Sequence, residues 1–446
     1  MSTTDELGLA KPPRRGRPIV VDFFAGAGGL SLGFEQAGFD VVAAADIDPV
    51  HCAVHHYNFP QTKTICKSVV DLSGNQLRKI AMLGPTDIDV VCGGAPCQGF
   101  STIGKRALDD PRNQLVFHFC RLVGELRPKY VVFENVRGLT LGQHKTFLEE
   151  IIESMQNLGY AVVLPYRVLN AVDFEVPQDR KRLFLMAARH DQQMPLYPAP
   201  IGRTTVGQAL SDLPDADTFG ELAVRDWAEA RLGPRSRYVR RLRNELPDLT
   251  DFSHPRAWDK SIMTSSRRTD HSEVSAQRFA TTPVNSIEPI SRFLKLAEDG
   301  VCNTLRAGTD SARGAFTSPR PIHPIFPRVI TVREAARLHS YPDWFRFHTT
   351  KWHGFRQIGN SVPPLLARAV ASSIMRSLTV AEPVLPTGLL QLGGPELLQM
   401  DMSQAARYFG VHRAVIAQRI RKGAARPESS TEDLFSPHLK LESEIA

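Results

Sequence analysis

One cysteine stands in a glycine-rich turn directly after a short apolar run, an arrangement that can expose a thiol for chemistry. The turn is Gly93–Ser101, with Cys97 at its centre, and the apolar run before it is Asp89–Cys92. Such a run is typical of a buried parallel strand, and open α/β sheets bind ligands at the carboxyl ends of their strands. A thiolate is a strong nucleophile, so this position favours covalent chemistry. A buried structural cysteine is the alternative for a cysteine considered alone.

Two further segments bring polar side chains to the same predicted sheet edge. The apolar run Tyr130–Phe133 ends in Glu134, and Gln178–Arg182 leads into another apolar run. A buried carboxyl group has a raised pKa and can donate a proton, although a structural glutamate fits this position as well. Arg180 and Arg182 are two residues apart, so on a strand they would face one side. A solvated charge pattern on an edge strand is the alternative.

A glycine turn near the N-terminus predicts a place for a nucleotide-like cofactor. Val20–Leu30 has the pattern strand, turn, helix, with Gly26, Gly28 and Gly29 in the turn. The full G-x-G-x-x-G spacing is absent, which disfavours a pyrophosphate ligand, whereas a carboxylate suits a helix N-terminus. Asp46 ends the next predicted strand and is placed to hold ribose hydroxyls. A tight packing turn with a surface aspartate is the alternative.

Taken in order along the chain, these segments resemble the DNA (cytosine-5) methyltransferase family. The resemblance covers residues 19–190 and 328–377. Each motif alone is weak, and their common order makes the set specific. The matching blocks are Asp22–Phe34, Gly93–Ser101, Asp110–Leu115, Phe133–Val136, Gln178–Arg182, Arg328–Pro342 and Gln357–Pro363.

The resemblance implies a fold and a reaction. The expected fold is an α/β, doubly wound, mostly parallel, Rossmann-like sheet of the class I methyltransferase type, with a smaller inserted target recognition domain. Cys97 would attack C6 of a cytosine flipped out of duplex DNA, which makes C5 nucleophilic. Glu134 would protonate N3, while Arg180 and Arg182 would orient the base and support the glutamate. Ser101 would contact a phosphate beside the flipped base, with Gln98 also at the DNA.

The implied cofactor is S-adenosyl-L-methionine. Asp46 would take its ribose hydroxyls, and Asn360 and Ser361 would reach its methionine end. Two positions depart from the family: Ile47 replaces a frequent aromatic residue, and Ser68 stands where a second acid is common. The residues predicted to form the cleft are Phe24, Gly26, Gly28, Gly29, Asp46, Ile47, Pro96, Leu115, Asn360 and Ser361.

Composition and charge indicate the broad class of protein. The chain has 446 residues, 42% of them hydrophobic, and a formal net charge of +7, which is compatible with DNA binding. No apolar run is long enough to span a membrane, and Met1–Lys11 lacks the apolar core of a signal peptide, so a cytoplasmic location is expected. The six cysteines form no C-x-x-C pair, so neither a metal site nor a disulfide framework is predicted.

Several domains are expected from the length of the chain and from the change in composition along it. We predict a basic tail at 1–18, the catalytic and cofactor-binding domain at 19–190, a target recognition domain at 191–327, a return to the catalytic domain at 328–382, a possible helix-turn-helix at 396–425 and a disordered tail at 426–446.

Three segments outside the matching blocks could bind DNA. In the target recognition domain the densest basic cluster contains Arg235, Arg237, Arg240 and Arg241, with a solvated helix face as the alternative. Pro13–Pro18 resembles an AT-hook, although a disordered basic tail is favoured. In the possible helix-turn-helix, a small helical cap on the main domain is the alternative. Its second helix would expose His412, Arg413, Gln418, Arg419 and Arg421.

The sequence therefore predicts a sequence-specific DNA methyltransferase of a bacterial or phage modification system, with double-stranded DNA and a restriction or defence partner. Methylation of tRNA cytosine is the nearest alternative, since related folds carry it out. A catalytically silent DNA-binding regulator is the alternative from another class, and the intact Cys97 and Glu134 argue against it.

Overall fold

A single large sheet carries the residues predicted to do chemistry. The computed structural model describes residues 16–95, 114–142, 144–308, 320–378, 383 and 385–411. Strand order is β3-β2-β1-β4-β5-β8-β6, and β7 pairs with β8. The strands are β1 Ile19–Phe23, β2 Asp40–Asp46, β3 Lys63–Cys66, β4 Val90–Gly93, β5 Tyr130–Val136, β6 Tyr160–Val162, β7 Arg167–Asn170 and β8 Lys181–Arg189.

The first five strands are parallel, whereas β8 runs antiparallel to β5. Because β7 and β8 are joined by only the short segment 171–180, no crossover helix fits between them, and an antiparallel pair results. All five residues of β1 are buried, as expected for a strand covered on both faces. The predicted doubly wound, mostly parallel α/β fold is confirmed.

Helices cover both faces of the sheet and continue into the later part of the chain. Among the described residues no helix is both long and apolar enough to cross a bilayer. The helices are α1 Gly29–Gln36, α2 Pro49–Asn58, α3 Gly74–Ile80, α4 Gln114–Leu126, α5 His144–Asn157, α6 Val206–Leu210, α7 Arg237–Leu242, α8 Glu273–Thr281, α9 Val332–Leu338, α10 Lys351–Asn360, α11 Pro364–Ser377 and α12 Met402–Tyr408.

Close packing of α1 on α11 joins the two ends of the catalytic part of the chain. A Cβ on Gly33 would collide with Ala367, and one on Gly29 would collide with the carbonyl of Val362. Glycine is therefore required at both positions for the helices to approach. This contact places the start of α1 beside Ser361, about 330 residues away in the sequence.

Residues 191–308 contain short elements tied to α9 by buried ion pairs. A two-stranded sheet forms from β9 Ala228–Glu229 and β10 Ile262–Met263. Arg337 on α9 pairs with Asp212 and with Asp343, and Arg333 donates to the Thr264 hydroxyl at 2.8 Å. A shared apolar core together with these polar and charged contacts thus holds this region against the catalytic part.

Two parts of the chain that were assigned to flanking segments pack against the catalytic part in the structure. Arg17, assigned to a free basic tail, is 8% exposed and pairs with Asp40 at 2.8 Å, so it is not available to a DNA groove. Helix α12, assigned to a helix-turn-helix, packs on the catalytic part: Ala405 and Ala406 are buried, and Tyr408 lies 6.2 Å from the ring of His56. This contact favours the helical cap for that helix. Residues 1–15 and 412–446 lie outside the described residues.

Candidate active site

Glu134 and Arg182 form an ion pair at the edge of the sheet. Glu134 lies near the end of β5 and Arg182 near the start of the neighbouring β8, and their side chains meet at 3.0 Å. Glu134 is 9% exposed. Its pKa is raised by burial, against the opposing effect of the Arg182 and Arg180 charges. A carboxyl group of this kind holds a proton at higher pH than a free glutamate does, as proton donation requires.

The start of the cysteine turn is fixed against this pair. A Cβ on Gly94 would lie 2.5 Å from a carboxylate oxygen of Glu134, so only glycine allows the approach. The Asn135 amide donates to the carbonyl of Ala95 at 3.2 Å. Pro96, Cys97, Gln98 and Ser101 lie outside the described residues. Since consecutive Cα atoms are 3.8 Å apart, the Cα of Cys97 is at most about 7.6 Å from that of Ala95.

Arg180 lies in a different environment from Arg182. It precedes β8, is fully buried, and donates at 2.8 to 2.9 Å to the carbonyls of Leu305, Gly359 and Ser361. Its charge lowers the pKa of Glu134, whereas its hydrogen bonds within the described part of the chain go to backbone carbonyls. Arg180 therefore ties the segment ending the recognition region to the end of α10.

Gln178 and His339 extend this buried junction, and sequence reasoning assigned neither of them a role. The Gln178 amide lies 3.0 Å from Nδ1 of His339, and its carbonyl accepts from the amide of Leu305 at 3.1 Å. Burial and the charge of Arg180 hold the pKa of His339 well below its usual value, so the ring is neutral. The family resemblance could have pointed to them, because both residues lie in the family-like blocks Gln178–Arg182 and Arg328–Pro342.

The glycine turn and Asp46 form one side of a cleft. Phe24 has φ of 58°, a conformation that a bulky residue adopts only when its surroundings impose it. Asp46 accepts from the amide of Gly26 at 2.9 Å and from that of Asp48 at 2.8 Å. Gly26 has φ of 56°, and a Cβ there would point into open space. The turn therefore has an open face at Gly26.

The other cleft residues lie around this turn. Ser361, beside Gly29, is brought there by the α1–α11 packing, and Asn360 ends α10 as an exposed residue. Ile47 is 52% exposed at the end of β2. Leu115 lies at the start of α4, half-buried against the core. Gly28 has φ of 104°, and its missing Cβ makes room for His55 and Phe59 behind the turn.

A buried polar chain supports the glycine turn from within the sheet. Asp22 on β1 accepts from the Ser31 hydroxyl at 2.6 Å, and that hydroxyl lies 3.1 Å from Nε2 of His55. Asp22 is fully buried, and its second oxygen has no hydrogen-bond partner among the described residues. Burial raises the pKa of Asp22 to about 7 and lowers that of His55 to about 3. Near neutral pH His55 is thus uncharged, and Asp22 is divided between its acid and ionised forms.

We expect Asp22 to make stability fall as pH rises. Unfolded Asp22 ionises near pH 4, whereas the folded group keeps its proton until about 7, so its contribution is lost between those values. Three pKa units correspond to at most about 4 kcal/mol. Asp22→Asn should flatten the decline in melting temperature between about pH 5 and about pH 8. Parallel profiles for the two proteins would contradict this assignment.

The four arginines of the basic cluster predicted to bind DNA lie in different environments. Arg241 pairs with Glu175 at 2.5 Å and with Asp248 at 3.1 Å, and Arg235 pairs with Glu245 at 3.0 Å. Carboxylates therefore already neutralise these two side chains. Arg237 and Arg240 are exposed on α7. Arg235 is exposed as well, and DNA binding by these residues stays a prediction.

The fold is that of a class I methyltransferase, with the buried Glu134–Arg182 pair at the edge of its sheet. The sequence matches the family described as C-5 cytosine-specific DNA methylase over residues 19–376. The chain belongs to this family and is a DNA (cytosine-5) methyltransferase. The predicted class of enzyme is confirmed.

Individual relatives agree with this assignment. The chain is 64% identical to the Type II methyltransferase M.XorII of Xanthomonas oryzae pv. oryzae, over 91% of this chain and 95% of that protein. It is 31% identical to the Type II methyltransferase M.AgeI of Thalassovita gelatinovora, over 79% and 98%. A solved structure of an E. coli prophage-encoded chain, described as a DNA modification methyltransferase, superposes with a TM-score of 0.68 at 32% identity, over 81% of this chain and 99% of that one.

Proposed function

We propose that this enzyme flips a cytosine out of duplex DNA and methylates its C5 through a covalent bond between Cys97 and C6. The observation that carries the proposal is the Glu134–Arg182 pair at the edge of the sheet, with Gly94 and Ala95 held against Glu134 and Asn135. These contacts bring the backbone that leads to Cys97 to a buried acid. A nucleophile and an acid on two sides of one small pocket are what addition to a pyrimidine needs.

The reaction follows from what each side chain can supply. The Cys97 thiolate forms a bond to C6, while Glu134 delivers a proton to N3, so no full negative charge develops on the ring. The guanidinium of Arg182 holds Glu134 in place and can donate to the base. C5 then acts as the nucleophile toward the methyl group. Loss of the C5 proton to a base expels the Cys97 thiolate from C6, and return of the N3 proton to the Glu134 carboxylate restores neutral 5-methylcytosine.

S-adenosyl-L-methionine would supply the methyl group as an electrophilic sulfonium. The residues around the glycine turn fit this ligand: Gly26 has an open face, and Asp46 presents a carboxylate at the end of β2. Exposed Ile47 offers an apolar surface for the adenine. Ser68 accepts from the amide of Val70 at 3.2 Å, a local turn contact, so adenine would be held mainly by packing and backbone.

Double-stranded DNA is the proposed substrate, and residues 191–327 are the proposed target recognition domain. The relatives' names as Type II methyltransferases support a role in restriction and modification, with a nuclease of the same specificity as the expected partner. Flipping the base opens the duplex and exposes C6 to attack from one face.

Mapping of methylated cytosines tests this function directly. In bisulfite sequencing of DNA from cells that express the protein, we expect one short sequence to be protected and other cytosines to be converted. The Glu134→Gln variant, expressed at the same level, should leave that sequence unprotected. Protection confined to tRNA would establish the alternative substrate. No protection in DNA or RNA, with intact DNA binding, would establish the silent regulator.

A further inference from the structure

Most arginines described in the core and at the domain junctions have a carboxylate partner. Such pairing is expected, because a buried charge without a counter-charge is costly. An arginine neutralised in this way has little charge left for a polyanion. The pairs are Arg17–Asp40, Arg235–Glu245, Arg241–Glu175, Arg243–Asp343, Arg256–Glu35, Arg328–Glu334, Arg337–Asp343, Arg346–Asp226 and Arg368–Asp248.

Two half-buried cations differ from this pattern. Arg267, in the segment after β10, donates weakly to the carbonyl of Ala223 at 3.4 Å, and Lys351, the first residue of α10, donates to the carbonyl of Arg268 at 2.8 Å. Both acceptors are neutral backbone groups. Among the described residues no carboxylate lies within 4.0 Å of either side-chain cation. Among the described residues, neither cation is therefore part of an ion pair.

These charges also lie close to one another. The pKa of Lys351 is lowered by burial and then by the positive charges of Arg320 and Arg267. Asp270 acts in the opposite direction, but its carboxylate already pairs with Arg268 at 3.4 Å. Exposed arginines such as Arg237 avoid this repulsion because water surrounds them. Like charges drawn together in a half-buried cluster form a strong site for an anion.

The cluster lies at a defined distance from the proposed active site. Helix α10 runs from Lys351 to Asn360, and the carbonyls of Gly359 and Ser361 at its far end accept from Arg180. Nine residues at a rise of 1.5 Å place Lys351 about 14 Å from Asn360. A phosphate bound there would belong to a nucleotide that flanks the flipped cytosine, not to the cytosine itself.

We propose that Arg267 and Lys351 together bind the phosphodiester backbone of the duplex beside the flipped cytosine, as a sequence-independent anchor. The ligand is the phosphate group, and no base is read. This inference rests on the proposed function, because it takes duplex DNA as the substrate. It also shifts the expected backbone contacts from Arg235 and Arg241, which carboxylates occupy, to a junction between the recognition region and α10.

Salt dependence of DNA binding tests the anchor. Arg267→Gln and Lys351→Gln should each weaken binding equally on cognate and unrelated duplexes and lower the slope of log K against log salt by about 1. Between 50 and 200 mM salt, each variant should thus lose about three- to fourfold less affinity than the wild type. Lys79→Gln, at an exposed lysine of α3, is the charge-matched control and should leave the slope unchanged. Unchanged slopes for Arg267→Gln and Lys351→Gln would overturn the anchor.

A methylphosphonate, which replaces a charged phosphate with a neutral group, can locate the DNA contact of the anchor. One methylphosphonate, placed in turn at each position around the target cytosine, should weaken wild-type binding most at one flanking position. The same substitution should cost Lys351→Gln nothing further. Equal losses in the variant and the wild type would place Lys351 elsewhere. Methyl transfer by the wild type at low salt is measured separately. If it is present and the phosphate experiment gives the contrary result, only the anchor is wrong. If it is absent, the proposed function is wrong.

Discussion

Cys97→Ser is expected to abolish methyl transfer and to prevent the covalent adduct that the wild-type enzyme should form with 5-fluorocytosine DNA. Fluorine at C5 cannot leave as a proton, so after methylation the C6–S bond cannot break, and the protein stays attached to the DNA. A serine hydroxyl is far less nucleophilic than a thiolate at neutral pH, so the variant should form no adduct. Electrophoresis under denaturing conditions, with cofactor present, measures the result.

The other cysteines make this experiment specific. Burial raises the pKa of Cys120 to about 12 and that of Cys92 well above its usual value, so neither provides a thiolate. Cys66 is half-buried, and Cys66→Ser serves as a control that should still form the adduct. The serine variant of Cys97 should retain DNA affinity, since binding does not use the thiol. An adduct mapped by mass spectrometry to another cysteine would refute the assignment.

Glu134→Gln should slow the first turnover by about 10²- to 10⁴-fold, the usual worth of a positioned general acid. Glutamine keeps the shape of the side chain but has no proton to give to N3. Because burial raises the pKa of Glu134, the wild type keeps part of its acid form toward neutral pH, which the variant lacks at every pH. Single-turnover methyl transfer with saturating DNA measures this step apart from binding.

A matched substitution separates the acid from the ion pair. Glu125 pairs with Arg121 at 2.6 Å on α4, so Glu125→Gln also leaves an arginine without its carboxylate. That variant should keep the wild-type rate. Glu134→Gln should bind DNA and the cofactor as the wild type does and should melt within a few degrees of it. A rate loss below about tenfold in the folded variant would remove Glu134 as the general acid.

Local pattern was enough to predict the framework of this protein. Apolar runs ending in Asp46, Gly93 and Glu134 are buried strands, and parallel strands bring their carboxyl ends to one edge. The order of the blocks then identified the family, and the matched residues 19–376 agree with it. These features depend on residues that are close in the sequence. The burial and the period of a strand are directly visible in its pattern of apolar residues.

The partners of the charged side chains were decided by the tertiary structure alone. Spacing paired Arg180 with Arg182, yet Arg180 donates to carbonyls more than a hundred residues away. The basic cluster around Arg241 read as a DNA surface, yet Glu175 and Asp248 neutralise that arginine. A charge is available to DNA only if no distant carboxylate reaches it, and sequence spacing does not contain that distance.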